Sequence, residues 1–312
     1  MDLIQILRQR IDALEVGDYT AGLRAVLQHV QVAASHHSRG SSTGDDTAFT
    51  DAIYRTNQAF EGSLKEAYRV LTGNDPSRVR PFDIENFFQG QSILRPRVLE
   101  QFSTYRTEWR NPSAHDYKLD FDEDEALLAI VSVCAFAIVL IDQIAGKVGY
   151  DKARTSSITP AVVDQKRPLS EIAADALLEF HPRAANLGTG EHMREAEVIG
   201  AVAGHLAKAL PGARVETEVR LSGDGRGSAD IVVTDKNAKL LIEVKRGRHA
   251  ANIKQMSIAQ VSHYIALSGI KDAVLYFYDE DGDKKMEREA YSLPGYDARI
   301  IILRPSRQGK VA

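Results

Sequence analysis

The spacing of apolar residues changes character once along this chain, and that change restricts the fold more than any other feature. Over residues 1–150 nothing alternates cleanly at period two. Leu3, Ile4, Leu7, Ile11 and Leu14 recur at three- and four-residue intervals, which places them on one helix face. The same pattern predicts helices over about 19–35, 47–71, 84–88 and 97–109, and a long apolar one after Asp124. The helix over 47–71 stops at Gly73-Asn74-Asp75-Pro76, and the polar stretch 36–46 (HHSRGSSTGDD) reads as a loop. An all-α helical bundle is the expectation for residues 1–150.

From residue 190 the pattern is different. A helix over 191–210 stops at Pro211-Gly212. Strands follow over 215–221, 229–234 and 240–245, then a helix over 252–268 and a strand over 273–278. The acidic turn 279–283 leads to a last strand over 299–303. That order predicts an α/β domain with a central mixed sheet over 190–312. Between the two, 151–189 reads as a linker marked by Ser156, Ser157 and Pro160. It carries a short helix over 171–180, capped by Ser170 and stopped by His181-Pro182.

Two domains also suit a length of 312 residues. At 44% hydrophobic and 26% charged, the composition is that of a globular protein and excludes a disordered or collagenous chain. Cys134 is the single cysteine, so an internal disulfide is excluded and a reducing, cytoplasmic setting is expected. The opening MDLIQILRQRIDALE is amphipathic and lacks the apolar core of a secretory signal. The apolar run 126–141 has 16 residues and is closed by Asp142. A membrane span needs roughly 20, so a buried helix and no membrane are expected. Residues 1–150 carry 15 basic and 21 acidic side chains, a net −6, and the remainder carries +2. Any binding of nucleic acid therefore rests on local patches and not on bulk charge.

The polar residues at the strand ends carry the chemistry. Asp230 opens the second strand beside the glycine-bearing turn 222–228, and Glu243 and Lys245 close the third. Strand side chains alternate, so Glu243 and Lys245 share a face and Val244 takes the other. The preceding Leu240-Leu241-Ile242 marks a buried central strand, where unpaired charges are costly. Two carboxylates can hold Mg²⁺ or Mn²⁺, and a lysine beside them can orient a water or stabilise developing charge. A lone Glu-x-Lys is more often a structural salt bridge. The aspartate one strand earlier favours phosphodiester cleavage.

Over about 190–303 this layout resembles the PD-(D/E)XK nuclease superfamily, the restriction-endonuclease-like fold. The resemblance rests on Asp230, Glu243-Val244-Lys245 and the order helix, three strands, helix, strand. It implies a nuclease with Asp230 and Glu243 as ligands of Mg²⁺ or Mn²⁺ and Lys245 as catalytic partner. Members often add a glutamate on the first helix. Glu195 is favoured because it shares the side of Ile199 and Val202. Glu197, about 200° around from Ile199, is the alternative. RecB-like branches follow with Gln-x3-Tyr, which Gln260 and Tyr264 match. Ala229 precedes Asp230 where the motif's name has proline.

Residues 106–121 read RTEWRNPSAHDYKLDF, with Arg110 and His115 separated by four residues and Asn111 after the arginine. Histidine can accept the proton of an RNA 2′-hydroxyl, and arginine matches phosphate oxygens. This motif resembles the HEPN superfamily, helical bundles with Arg-x4–6-His, and the long apolar helix after it fits over 1–150. The resemblance implies metal-free RNA cleavage by Arg110, Asn111 and His115, and a homodimer that pairs two such motifs about a two-fold axis. Pro112 and its surroundings can equally make Arg110 and His115 a structural clamp. Together the two resemblances imply a cytoplasmic nuclease acting on DNA or RNA, in the manner of prokaryotic anti-phage defence proteins. The alternatives are a DNase whose helical half only dimerises, and a non-catalytic nucleic-acid sensor.

Other features point to nothing sharper. His36-His37 has no metal-ligand neighbours in sequence, Cys134 lies in an apolar helix, and Asp122–Glu125 reads as an acidic helix start. Lys245, Arg246, Arg248, His249 and Lys254 form a basic cluster that suits either a phosphate track or an exposed loop. Arg78, Arg80, Arg95 and Arg97 flank Phe82, Phe87 and Phe88, a mixture that grips single strands or, more often, builds core. No Walker A loop, dinucleotide fingerprint or zinc knuckle is present.

Overall fold

Asp2 caps the first helix, α1 (Leu3–Asp12), by accepting from the Gln5 N–H at 3.0 Å, and Leu7 and Ile11 form its buried face. Helix α2 (Thr20–Thr43) continues through the segment that reads as a loop and ends at Gly44, whose φ of 71° only glycine adopts freely. Its hydroxyls find their partners within the helix by bonding back one turn: Ser38 to Ala34, Ser41 to His37 and Thr43 to Arg39. Gly40 does not break the helix. It lies under the Phe49 ring, where an added Cβ would stand 2.6 Å from Cε1. Helix α3 (Thr47–Thr72) returns antiparallel. Gly22 meets Glu66, Val26 meets Gly62 and Gly40 meets Phe49, a register that runs in opposite directions on the two helices.

After α4 (Pro81–Gly90) comes α5 (Pro96–Tyr105), which passes into a π turn (Arg106–Arg110) and then α6 (Asn111–His115). The π turn has a local cause. Pro112 has no N–H and its ring would strike the carbonyl four residues back, so the helix widens to an Asn111 N–H to Arg106 carbonyl bond. Helix α7 (Glu123–Thr155) follows a reciprocal cap. The Asp122 N–H donates to Glu125 at 3.1 Å and the Glu125 N–H to Asp122 at 2.8 Å. Phe60, Phe102, Tyr105 and Phe136 tie α3, α5 and α7 with ring centroids 4.4–6.1 Å apart. The 16-residue apolar run is the middle of a 33-residue helix. By length and composition α7 is apolar enough to cross a membrane, and half of its most apolar window is buried in the protein.

The computed structural model describes residues 2–91, 93–94, 96–116, 118–156, 167–180, 194–221, 227–236, 238–247, 250–279, 284–295 and 297–306. Two compact units result, Met1–Ile144 and Ala145–Ala312, divided within α7. Much of the expected linker, 157–166 and 181–189, lies outside the described residues.

The second unit contains α8 (Leu169–Glu179), α9 (Glu195–Ala209), β1 (Arg214–Arg220), β2 (Ser228–Asp235), β3 (Ala238–Arg246), α10 (Ala250–Ser268), β4 (Asp272–Tyr278), β5 (Met286–Ser292) and β6 (Arg299–Pro305). The strands form one mixed sheet in the order β1-β2-β3-β4-β6-β5. Strands β1, β2 and β3 pair antiparallel, β3, β4 and β6 parallel, and β5 antiparallel to β6. Ile242 and Val244 face the core built with α8 and α9, whereas Leu241 faces the core built with Val261 and Ile265 of α10. Alternation therefore turns Glu243 and Lys245 toward the α10 side. The fold class is thus a helical first unit and an α/β second unit. Strand β5, MEREAYS, has no counterpart in the sequence reading. It is an edge strand, and its charged residues pair with neighbouring helices: Arg288 with Glu171 and Asp175 of α8, and Glu289 with Lys254 of α10.

Within the second unit the last turns of α7 cross α9 at glycines. A methyl group at Gly200 would fall inside the radius of the Gly146 carbonyl oxygen, one at Gly149 inside that of Glu197, and one at Gly204 inside that of Tyr150. The two backbones are in direct contact.

Candidate functional site

Asp230 on β2, Glu243 and Lys245 on β3, and Gln260 on α10 converge at one end of the sheet. The Lys245 ammonium donates to Glu243 Oε1 at 2.6 Å, and the Gln260 amide donates to the same oxygen at 2.8 Å. Gln260 is itself 2.7 Å from the Tyr264 hydroxyl, one helical turn on. Asp230 Oδ2 accepts the Val244 N–H at 2.7 Å, which locks this carboxylate to the strand carrying Glu243. Glu243 is only 3% exposed, and its Oε2 is buried without a hydrogen-bond partner. A buried carboxylate oxygen with no donor is costly, and it is the kind of atom a cation satisfies.

The electrostatics follow from this geometry. Burial, then the charge of Glu243, pushes the Asp230 carboxyl up to about 8, against the pull of the Val244 N–H and Lys245. Burial also raises Glu243, opposed by its hydrogen bond and ion pair with Lys245 and by the backbone N–H of Asp230. For Lys245, burial acts to lower the pKa, but Glu243, Asp230 and Glu195 outweigh it and hold the ammonium above its ordinary value. Glu195, at the exposed start of α9, makes no hydrogen bond to the cluster, yet its charge acts on both Glu243 and Lys245.

These residues suit a small, oxygen-loving divalent cation. Mg²⁺ keeps several waters and needs only one or two protein carboxylates, with substrate phosphate completing the shell. Among the described residues no three His, Cys, Asp or Glu side chains gather closely enough to enclose an ion. Asp230 and Glu243 are the two carboxylates here that could hold such an ion.

A stability prediction follows. Unfolded Asp230 ionises near 3.8, whereas in the folded, metal-free unit it holds its proton to about 8. Between those values the folded state binds more protons, so the site's contribution to stability falls as pH rises. Urea midpoints of the metal-free protein are expected to drop from about pH 5 to about pH 8, and Asp230→Asn to flatten that drop. An unchanged slope in the variant contradicts the assignment.

Glu218 was not expected here. It stands opposite Asp230 in the β1–β2 register, between the pairs Thr217↔Ile231 and Val219↔Ala229, and its charge acts on Asp230. Its φ of 55° is rare for a residue with a side chain, and such backbones concentrate at functional sites. The sequence offers one signal, a glutamate between the β-branched residues Thr217 and Val219. Of the basic cluster, Arg248 and His249 lie outside the described residues, and Lys254 is paired with Glu289 at 2.6 Å.

In the helical unit, Arg110 closes the π turn. Its Nε and Nη2 donate to Glu61 Oε1 at 3.0 and 2.8 Å, and its Nη1 to Asn111 Oδ1 at 3.2 Å. Ser113 hydrogen-bonds the Arg110 carbonyl and accepts from buried Asn57 at 2.7 Å, so the turn is anchored to α3. Arg110 lines a cavity of about 670 Å³ together with His29, His36, Tyr54, Arg55 and Glu61. His115 is exposed at the end of α6 and does not line it. Arg110 and Asn111 are joined by a hydrogen bond, and His115 closes α6 one turn after Asn111. Asp122 and Glu125 form the cap of α7, as their sequence suggests. Cys134 is buried, and burial pushes its thiol up to about 12, which removes it as a nucleophile. Phe88 is buried and Arg80 is paired with Asp83, while Arg95 and the side chain of Arg97 lie outside the described residues.

Comparison with protein-family models, with curated proteins and with solved structures finds no match to this chain.

Proposed function

We propose that the second unit is a metal-dependent nuclease of the PD-(D/E)XK type that hydrolyses phosphodiester bonds in nucleic acid. One observation carries the reading: Asp230, Glu243, Lys245 and Gln260 meet at one end of the sheet, and the Glu243 oxygen pointing away from Lys245 and Gln260 has no partner. Asp230 and Glu243 would hold Mg²⁺ or Mn²⁺, which when bound polarises the phosphoryl group and acidifies water. Lys245 orients the attacking water and stabilises charge on the phosphate. Gln260 fixes the Glu243 carboxylate, Tyr264 fixes Gln260, and Glu195 adds negative charge beside Lys245. The test is a panel of single- and double-stranded DNA and RNA with Mg²⁺, Mn²⁺ or EDTA. Cleavage of at least one substrate that EDTA abolishes supports the reading. Wild-type protein inert on the whole panel, yet binding one substrate with a steep salt dependence, favours a non-catalytic sensor.

For the helical unit the reading is a HEPN-type module that forms a homodimer and cleaves RNA without metal, supported by the Arg110–Asn111 pair at the cavity. Arg110→Ala is expected to lower EDTA-resistant RNA cleavage by about a hundredfold or more, the scale of a lost electrostatic donor to the phosphate. Equal RNA cleavage by the variant leaves the helical unit with assembly alone, in a single-activity DNase.

A further inference from the structure

The cavity of the helical unit holds groups that the Arg110 motif does not use. His29 comes from α2, and Tyr54 and Arg55 come from α3. Arg55 is exposed and forms no ion pair among the described residues. A guanidinium has five N–H donors, and Glu61 and Asn111 engage three of those of Arg110. Both arginines can therefore meet phosphate oxygens. Tyr54, 49% exposed at the rim, offers a ring on which a base can stack.

We infer that this cavity is where the helical unit cleaves RNA, with Arg55 and Arg110 holding the scissile phosphate, Tyr54 stacking a base, and His29 accepting the proton of the attacking 2′-hydroxyl. The inference rests on the ribonuclease reading of this unit, but it moves the base from His115 to α2. Burial, then the nearby charge of Arg55, lowers the His29 pKa, so its imidazole is neutral at pH 7. The other charged groups of the cavity have partners of their own: Glu61 is tied to Arg110, and Asp51 lies by Arg39 and His36.

The step balances. His29 takes the 2′-hydroxyl proton, the 2′-oxygen bonds to phosphorus and the P–O5′ bond breaks. The departing 5′-oxygen takes a proton from water, and His29 returns its own to solvent. The products are a 2′,3′-cyclic phosphate and a 5′-hydroxyl.

The experiment uses the full chain in EDTA with a short single-stranded RNA. His29→Ala is expected to slow single-turnover cleavage about a hundredfold or more, with partial restoration by added imidazole, which a structural defect would not show. Arg55→Ala is expected to raise KM about tenfold, roughly one charge-assisted hydrogen bond. The acid limb of the wild-type pH profile should lie below the ordinary histidine value. Arg24→Ala, an exposed arginine of α2, should match wild type. Cleavage within twofold of wild type for His29→Ala, alongside loss for His115→Ala, overturns the inference and leaves the ribonuclease reading standing. Wild-type protein that cuts no RNA in EDTA overturns both.

Discussion

Glu243→Gln should reduce metal-dependent cleavage by about a thousandfold or more in single-turnover assays, a loss of about 4 kcal/mol in transition-state stabilisation. The substitution removes one of two charged ligands and leaves a neutral amide where the buried Oε2 stood. It keeps an oxygen that can accept from Lys245 and Gln260, so folding should survive. The melting temperature should hold or rise, because burial already disfavours the Glu243 charge. Lys245→Met should cost about 10²–10³ for a lost electrostatic donor, and Lys245→Arg should not rescue it, since a planar fork does not replace a point charge held 2.6 Å from Glu243. Gln260→Ala should cost less, because Gln260 acts through Glu243. Unchanged cleavage in Glu243→Gln, at wild-type stability, excludes the site as the catalytic centre.

The second large effect concerns stability. Gly200→Ala should destabilise the second unit by about 3 kcal/mol or more, the upper range for overpacking. The added methyl overlaps the Gly146 carbonyl oxygen, which belongs to the backbone and cannot swing aside. The helices cannot slide to relieve it, because methyl groups at Gly149 and Gly204 would also overlap the carbonyl oxygens of Glu197 and Tyr150. Separating them would loosen Val198, Val202 and Leu206, all fully buried against the sheet. Each helical glycine costs about 0.5–1 kcal/mol relative to alanine, so four at one crossing imply a contact of greater worth. Gly90, at the end of α4 with open space around it, is the contrast. Gly90→Ala should be neutral or stabilise by up to about 1 kcal/mol. Denaturant midpoints measure both, and a Gly200→Ala midpoint equal to wild type would show that the crossing is looser than described.

How much of this was legible in the sequence depends on the range of the interaction. Glu243 and Lys245 share a strand face by alternation, and Gln260 and Tyr264 share a helix face at four residues. Both relations are local, and the structure retains them. The approach of Asp230 to the third strand needed only the short hairpin between β2 and β3. Other features depend on distant partners. Helix α2 extends through a glycine- and serine-bearing stretch because Gly40 fits beneath Phe49 on another helix. Strand β5 is charged because it lies at the sheet edge, where apolar alternation is not required. Glu218 stands opposite Asp230 through cross-strand register, and His29 and Arg110 line one cavity through the packing of helices far apart in the chain.

The central claim is that Asp230 and Glu243 jointly bind a divalent cation. A crystal soaked in Mn²⁺ and measured at the manganese edge tests it most directly. The expected result is one anomalous peak about 2.1–2.2 Å from a carboxylate oxygen of each residue, absent in Glu243→Gln. A map with no peak between them, or with manganese bound only elsewhere, contradicts it.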